Sequence, residues 1–175
     1  MRELAITAVG RDRPGIVAGL TAALLPLGAN LHDCRAALLR GSFAMVMAVE
    51  VPDAIDAAAT RTAIAPAAAA LGLEVWVGVA TGAEPIPGGE RCVVSVYGAD
   101  HPGIVHATSS ALAALGINIL DLSSRVVGDP PVYVLGIEAE LPPEVSIAVV
   151  EAALQPMASE QRVELHLERE ADEVL

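Results

Sequence analysis

The chain has 175 residues, 54% hydrophobic and 18% charged, with a formal net charge of −12. All ten of its basic residues are arginine, and the charge is uneven: residues 1–80 hold 6 Arg against 7 acids, residues 81–175 hold 4 Arg against 15 acids. Affinity for nucleic acid comes chiefly from Lys and Arg neutralising phosphates, so this composition argues against direct binding of DNA or RNA. 

In chain order, the first expected element is a strand from Glu3 to Val9, with Leu4, Ile6 and Ala8 on one face. The N-terminus runs straight into it without a signal-peptide layout, and no apolar run approaches the ~18 residues of a membrane span, so a cytoplasmic protein is expected. Gly10 and the segment DRPGIV, Asp12 to Val17, come next. Ile16, Val17, Leu20, Leu24 and Leu27 recur at helical spacing, and Gly28 falls where a helix needs a left-handed C-terminal residue. A second strand is expected from Ala29 to Leu39, a turn at Arg40-Gly41, and a third strand from Phe43 to Val51. A helix then spans Asp53 to Leu71, interrupted by Pro66, and a strand spans Leu73 to Ala80. Thr81 to Glu90, TGAEPIPGGE, reads as a Gly- and Pro-rich linker.

After the linker the order repeats. DHPGIV, Asp100 to Val105, matches DRPGIV at an offset of 88 residues, and the same offset places Gly10 on Gly98, Leu24 on Leu112, Gly28 on Gly116, Asn30 on Asn118 and Asp33 on Asp121. Between Asp12–Asp33 and Asp100–Asp121, 11 of 22 positions are identical without a gap. The second copy supplies strands at Arg91 to Tyr97, Ile117 to Val127, Val132 to Glu140 and Arg162 to Arg169, with helices from Ile104 and from Pro143 to Met157. A period this long is too large for a solenoid and suits two small domains, residues 1–80 and 91–175, joined by 81–90. The expected fold class is α+β: two ferredoxin-like βαββαβ domains, each an antiparallel sheet with helices on one face.

Two details bear on packing. Phe43, Met45, Met47 and Val49 form a bulky face suited to the helices, while Ala44, Val46 and Ala48 form a small apolar face opposite; Tyr133, Leu135 and Ile137 stand likewise against Val132, Val134 and Gly136. A sheet open to water normally carries polar residues on its second face, so part of that face is expected to pack against another sheet and the protein to be a homo-oligomer. Cys34 and Cys92 form neither a CxxC pair nor a disulfide framework and are expected to be core thiols.

The strand-to-helix turn is the candidate site. A helix N-terminus presents unpaired N–H groups and the positive end of its dipole, which suits a carboxylate. Pro14 and Pro102 fit the first helical position, and Gly15 and Gly103 clear the way for a ligand to approach the backbone. The plainer alternative is that proline merely starts the helix and Asp12 or Asp100 complements the dipole. Asn30 and Asn118 open the next strand, where packing requires no polar group; an amide that donates and accepts matches both ends of a free amino acid, though a turn role after Gly28 stays open. His32, His101, His106 and His166 have no metal-ligand spacing, so no metal or other cofactor is expected. Ser123, Ser124 and Arg125 lie on a strand with no nucleophile elbow.

DRPGIV or DHPGIV after a strand, followed by LGAN or LGIN, resembles the ACT domain, a small regulatory module that binds amino acids, and the resemblance covers nearly the whole chain. The tandem arrangement is similar to the glycine cleavage system transcriptional repressor group. The resemblance implies side-by-side repeats with a small amino acid of the glycine or serine class between them. It would be held by the turn of one repeat (Asp12, Pro14, Gly15, Ile16 or Asp100, Pro102, Gly103, Ile104) and by Asn30 or Asn118 of the other. It also implies a regulatory function exerted on a protein partner. Arg13 stands where the second copy has His101, which suggests two inequivalent sites. Formyltetrahydrofolate hydrolases begin with a similar segment, but their chemistry resides in a separate domain, so no enzyme is expected here. A dimerisation module with a decayed site is the alternative.

Overall fold

The computed structural model describes residues 1–80 and 89–169, and the chain divides into two compact units, Met1–Ala83 and Glu84–Leu175. The first unit runs β1 (Arg2–Arg11), α1 (Ile16–Leu24), a 3₁₀ turn (Leu25–Leu27), β2 (Asn30–Leu39), β3 (Ser42–Val51), α2 (Ala57–Leu71) and β4 (Leu73–Val79). The second runs β5 (Glu90–Gly98), α3 (Ile104–Ala114), β6 (Asn118–Val127), β7 (Val132–Leu141), α4 (Ile147–Gln161) and β8 (Glu164–Arg169). Each unit is one four-stranded antiparallel sheet, ordered β2-β3-β1-β4 and β6-β7-β5-β8. Two ferredoxin-like βαββαβ domains are therefore present, as the sequence led one to expect. Residues 81–88 of the expected linker lie outside the described residues, and Glu90 already belongs to β5.

Period-two alternation in the strands meets a four-residue stripe on the helices. Leu4, Ile6 and Ala8 of β1 and Met45, Met47 and Val49 of β3 are buried with Ile16, Leu20 and Leu24 of α1 and Ile64 and Ala68 of α2. In the second unit Cys92, Val94, Val96, Leu135 and Ile137 are buried with Ile104, Leu112, Val150 and Leu154. Both helices of a unit thus cover the same face of its sheet, and burial of each large aliphatic side chain stabilises it by about 1.5–3 kcal/mol.

Several expectations are corrected. Cys34, on the edge strand β2, is exposed, and only Cys92 is a core thiol; the reason is that every residue of β2 is exposed in this unit. Pro66 does not interrupt α2, and Pro156 sits inside α4 in the same way. Both prolines are exposed, as are Thr62 and Ala152, whose carbonyls lose their amide partner and can turn to water instead. The α2 helix starts four residues later than expected, because Pro52–Ile55 form a turn closed by Ile55 N–H on Pro52 O at 2.8 Å and Asp56 then caps the helix.

Gly10 and Gly98 repeat for a packing reason: a Cβ on Gly10 would lie 2.6 Å from Gly72 O, and one on Gly98 would lie 2.8 Å from Val163 Cγ1. The sheet faces turned away from the helices differ. In the first unit that face carries Ala5, Val9, Ala44, Val46 and Trp76, the indole lying across Gly78, where a Cβ would sit 2.2 Å from the ring. In the second, that face includes Tyr97, Val134, Glu138 and His166, on β5, β7 and β8.

Candidate ligand site at the strand-to-helix turns

Asp12 leaves β1 with its amide donating to Gly41 O at 2.9 Å, which ties the turn to the β2–β3 hairpin. Helix α1 then begins one residue beyond Gly15, whose φ of +91° and N-cap position put it in the left-handed region; Gly103, at φ +107°, does the same before α3. Pro14 and Pro102 therefore precede the helix by two residues rather than opening it. The left-handed glycine redirects the chain first, and that displaces the helical start. A Cβ on Gly15 would meet nothing within 4 Å, so the backbone angle, and not clearance, requires glycine there.

Neither cap residue offers a side chain to the helix. Gly19 N–H reaches Gly15 O and Ala107 N–H reaches Gly103 O, each at 2.8 Å, so the N–H groups of Ile16, Val17 and Ala18, and of Ile104, Val105 and His106, have no carbonyl within the helix. Asp12 and Asp100, four residues before the first residue of each helix, are both exposed. An uncapped helix N-terminus of this kind leaves backbone donors available to an anion.

Arg13 and His101, which differ between the two copies, make similar contacts. Arg13 Nη2 donates to Ala70 O at 2.7 Å, and His101 Nε2 lies 2.8 Å from Gln161 O. Ala70 and Gln161 belong to the last turns of α2 and α4. Each side chain thus fastens its turn to the C-terminal end of the second helix, where a donor meets otherwise unpaired carbonyls.

Asn30 and Asn118 lie elsewhere. Strand β1 runs parallel to β2 through their common neighbour β3, so Asp12 emerges at the Leu39 end of the sheet while Asn30 sits opposite Glu50 at the far end. Ten residues of strand separate the two ends by roughly 30 Å. Within a unit, then, the turn residues cluster together and the asparagine does not join them. Beside Asn30 is a mostly apolar cavity of about 210 Å³, lined by Thr21, Leu24, Leu25, Ala29, Leu31 and Val49.

One feature of this end was missed in the sequence. Both β2 and β6 shift register in the same place, between Leu31 and Asp33 and between Ile119 and Asp121. Residues three apart on a regular strand point to opposite faces; the bulge returns Asp33 to the face of Asn30, opposite Ala48 and Glu50 respectively, and does the same for Asp121 with Asn118. The bulged residue His32 places Nε2 3.3 Å from Glu50 Oε2. The repeated N-x-x-D spacing was the available signal.

The fold defines a tandem of ferredoxin-like units. The ACT domain family matches at residues 2–78 and 90–168, and the chain belongs to that family. It is 38% identical over 78 residues to UPF0237 protein MK1213 of Methanopyrus kandleri, covering 44% of this chain and 87% of that protein. It is 28% identical over 165 residues to phosphoserine phosphatase SerB2 of Mycobacterium tuberculosis, covering 93% of this chain but only 40% of the phosphatase. Among solved structures, an uncharacterised protein from Galdieria sulphuraria superposes with a TM-score of 0.84 at 28% identity, over 97% of this chain and 99% of that one. A proposed glycine cleavage system transcriptional repressor shares the fold, with a TM-score of 0.69 at 19% identity over 96% of each chain. No helix among the described residues is long and apolar enough to cross a membrane.

Proposed function

We propose that this ACT-domain protein is a cytoplasmic, non-catalytic sensor of a small amino acid of the glycine or serine class. The ligand is received at a junction of two repeats, of one chain or of two in a homo-oligomer. Its carboxylate meets the free N–H groups after Gly15 or Gly103, its ammonium meets Asp12 or Asp100, and Asn30 or Asn118 of the other repeat completes the site; Pro14, Ile16, Pro102 and Ile104 shape the turn.

The observation that carries this reading is the separation of the turn from the asparagine within each unit. A site using both groups needs two repeats, and ligand binding would then fix their relative placement and alter the surface offered to a protein partner. Regulation of gene expression, as the glycine cleavage repressor likeness suggests, would act through that partner, since a chain of net charge −12 without lysine is a poor ligand for phosphates. At about 1.5 kcal/mol per heavy atom, a ligand as small as glycine binds no tighter than roughly micromolar, which suits sensing of an abundant metabolite.

A thermal-shift screen of the twenty amino acids tests the reading. A small amino acid should raise the midpoint at millimolar concentration, and the Asn30→Ala, Asn118→Ala double variant should reduce the shift. A shift untouched by that variant places the ligand elsewhere. No shift with any amino acid favours a dimerisation module, for which the fully exposed ten-residue edge strand β2 is the supporting feature.

A further inference from the structure

The second unit has a cavity of about 370 Å³ that the turn-and-asparagine site does not use. It lies at the end of the sheet, lined by Tyr97, Gly98, Ala99, Pro131, Val132, Arg162 and Glu164, and its volume falls within the about 300–1,000 Å³ of small-molecule pockets. Tyr97 and Glu164 are cross-strand partners on the face turned from the helices. The Tyr97 ring is met edge-on by His166, with centroids 5.7 Å apart at 76°.

Arg162 is the unusual residue. It ends α4 at φ +54°, a left-handed conformation that side chains other than Gly, Asn and Asp rarely adopt. At the corresponding end of α2 the first unit has Gly72, at φ +69°. The strand register also puts Val9 of the first unit where the second has Tyr97, opposite Glu74 where the second has Glu164. The second unit has thus exchanged the glycine that suits the backbone for a cation, and an aliphatic wall for an aromatic one, around a retained carboxylate. Strain kept at a cavity wall points to a function of the strained side chain. Among the described residues, neither the Arg162 guanidinium nor the Glu164 carboxylate has a hydrogen-bond or ion-pair partner.

We propose that this cavity is a second ligand site, confined to the second unit, for a free amino acid. Arg162 receives the α-carboxylate, Glu164 receives the ammonium, and Tyr97, Pro131 and Val132 wall the side chain. A cation and an anion two residues apart at one apolar cavity select a zwitterion over a simple anion or cation. The site does not depend on the turn-and-asparagine reading, because it shares no residue with it.

The test is amide NMR of the full chain titrated with each of the twenty amino acids at millimolar concentration. At least one should move the Tyr97, Ala99 and Val132 resonances saturably, while a matched carboxylate without an ammonium, such as propionate, should not. Arg162→Gly, which installs the residue that the first unit uses and relieves the backbone, should fold with an unchanged or higher Tm and weaken binding by about tenfold or more. Glu164→Gln should weaken it similarly. Binding unaffected by Arg162→Gly, equal binding of propionate, or no amino acid moving these resonances would each overturn the proposal. In the Asn30→Ala, Asn118→Ala variant these resonances should still respond. If only that variant abolishes binding, this proposal fails and the turn-and-asparagine site stands; if only Arg162→Gly does, the reverse holds.

Discussion

Arg13 and His101 show how a repeated position can change identity and keep its task. Both reach the last carbonyls of the helix behind the turn, so each of Arg13→Ala and His101→Ala should cost about 1 kcal/mol in denaturant unfolding, while Arg13→His should cost less than Arg13→Ala. A side chain at Gly15 costs backbone strain: at φ +91° an alanine would be strained by about 1–2 kcal/mol although the space around it is open. The two thiols separate as well. Burial pushes the Cys92 thiol up, with the Glu90 carboxylate adding to the effect, whereas Cys34 is exposed. A thiol reagent at mildly alkaline pH should modify one cysteine quickly, and Cys34→Ser should remove that reaction. At this scale the sequence disclosed which residues repeat but not why: the identity of Gly10 and Gly98 is visible in a string of letters, the carbonyl or methyl that excludes a Cβ is not.

Strands were legible to within a residue or two because a buried face imposes period two, and α1 because Ile16, Leu20 and Leu24 keep a single stripe, whereas α2 and α4 each begin four residues later than expected. What escaped was non-periodic. The bulges in β2 and β6 leave no mark on hydropathy, and the start of α2 depended on a local turn and a cap. Asp56 caps α2 by accepting from Ala59 N–H at 2.8 Å, while Ser146 before α4 makes no side-chain cap bond. Asp56→Ala should therefore destabilise the first unit by about 1 kcal/mol, and Ser146→Ala the second by clearly less, as read from chemical denaturation. The site was legible as residue types at a spacing. Its division between the two ends of a sheet became visible only with strand order.

For the whole molecule, duplication means two separate cores. Leu20 belongs to one and Leu112 to the other. Leu20→Ala should lower the stability of the first unit by about 2–5 kcal/mol, with the second unit's transition left in place, and Leu112→Ala should do the converse. An experiment that distinguishes the two transitions needs no added label. The only tryptophan, Trp76, rests on Gly78 in the first unit, and both tyrosines, Tyr97 and Tyr133, belong to the second. Each half therefore carries its own optical signature: indole emission follows one copy of the duplication and phenol absorbance the other, so the two can be watched melting in the same cuvette.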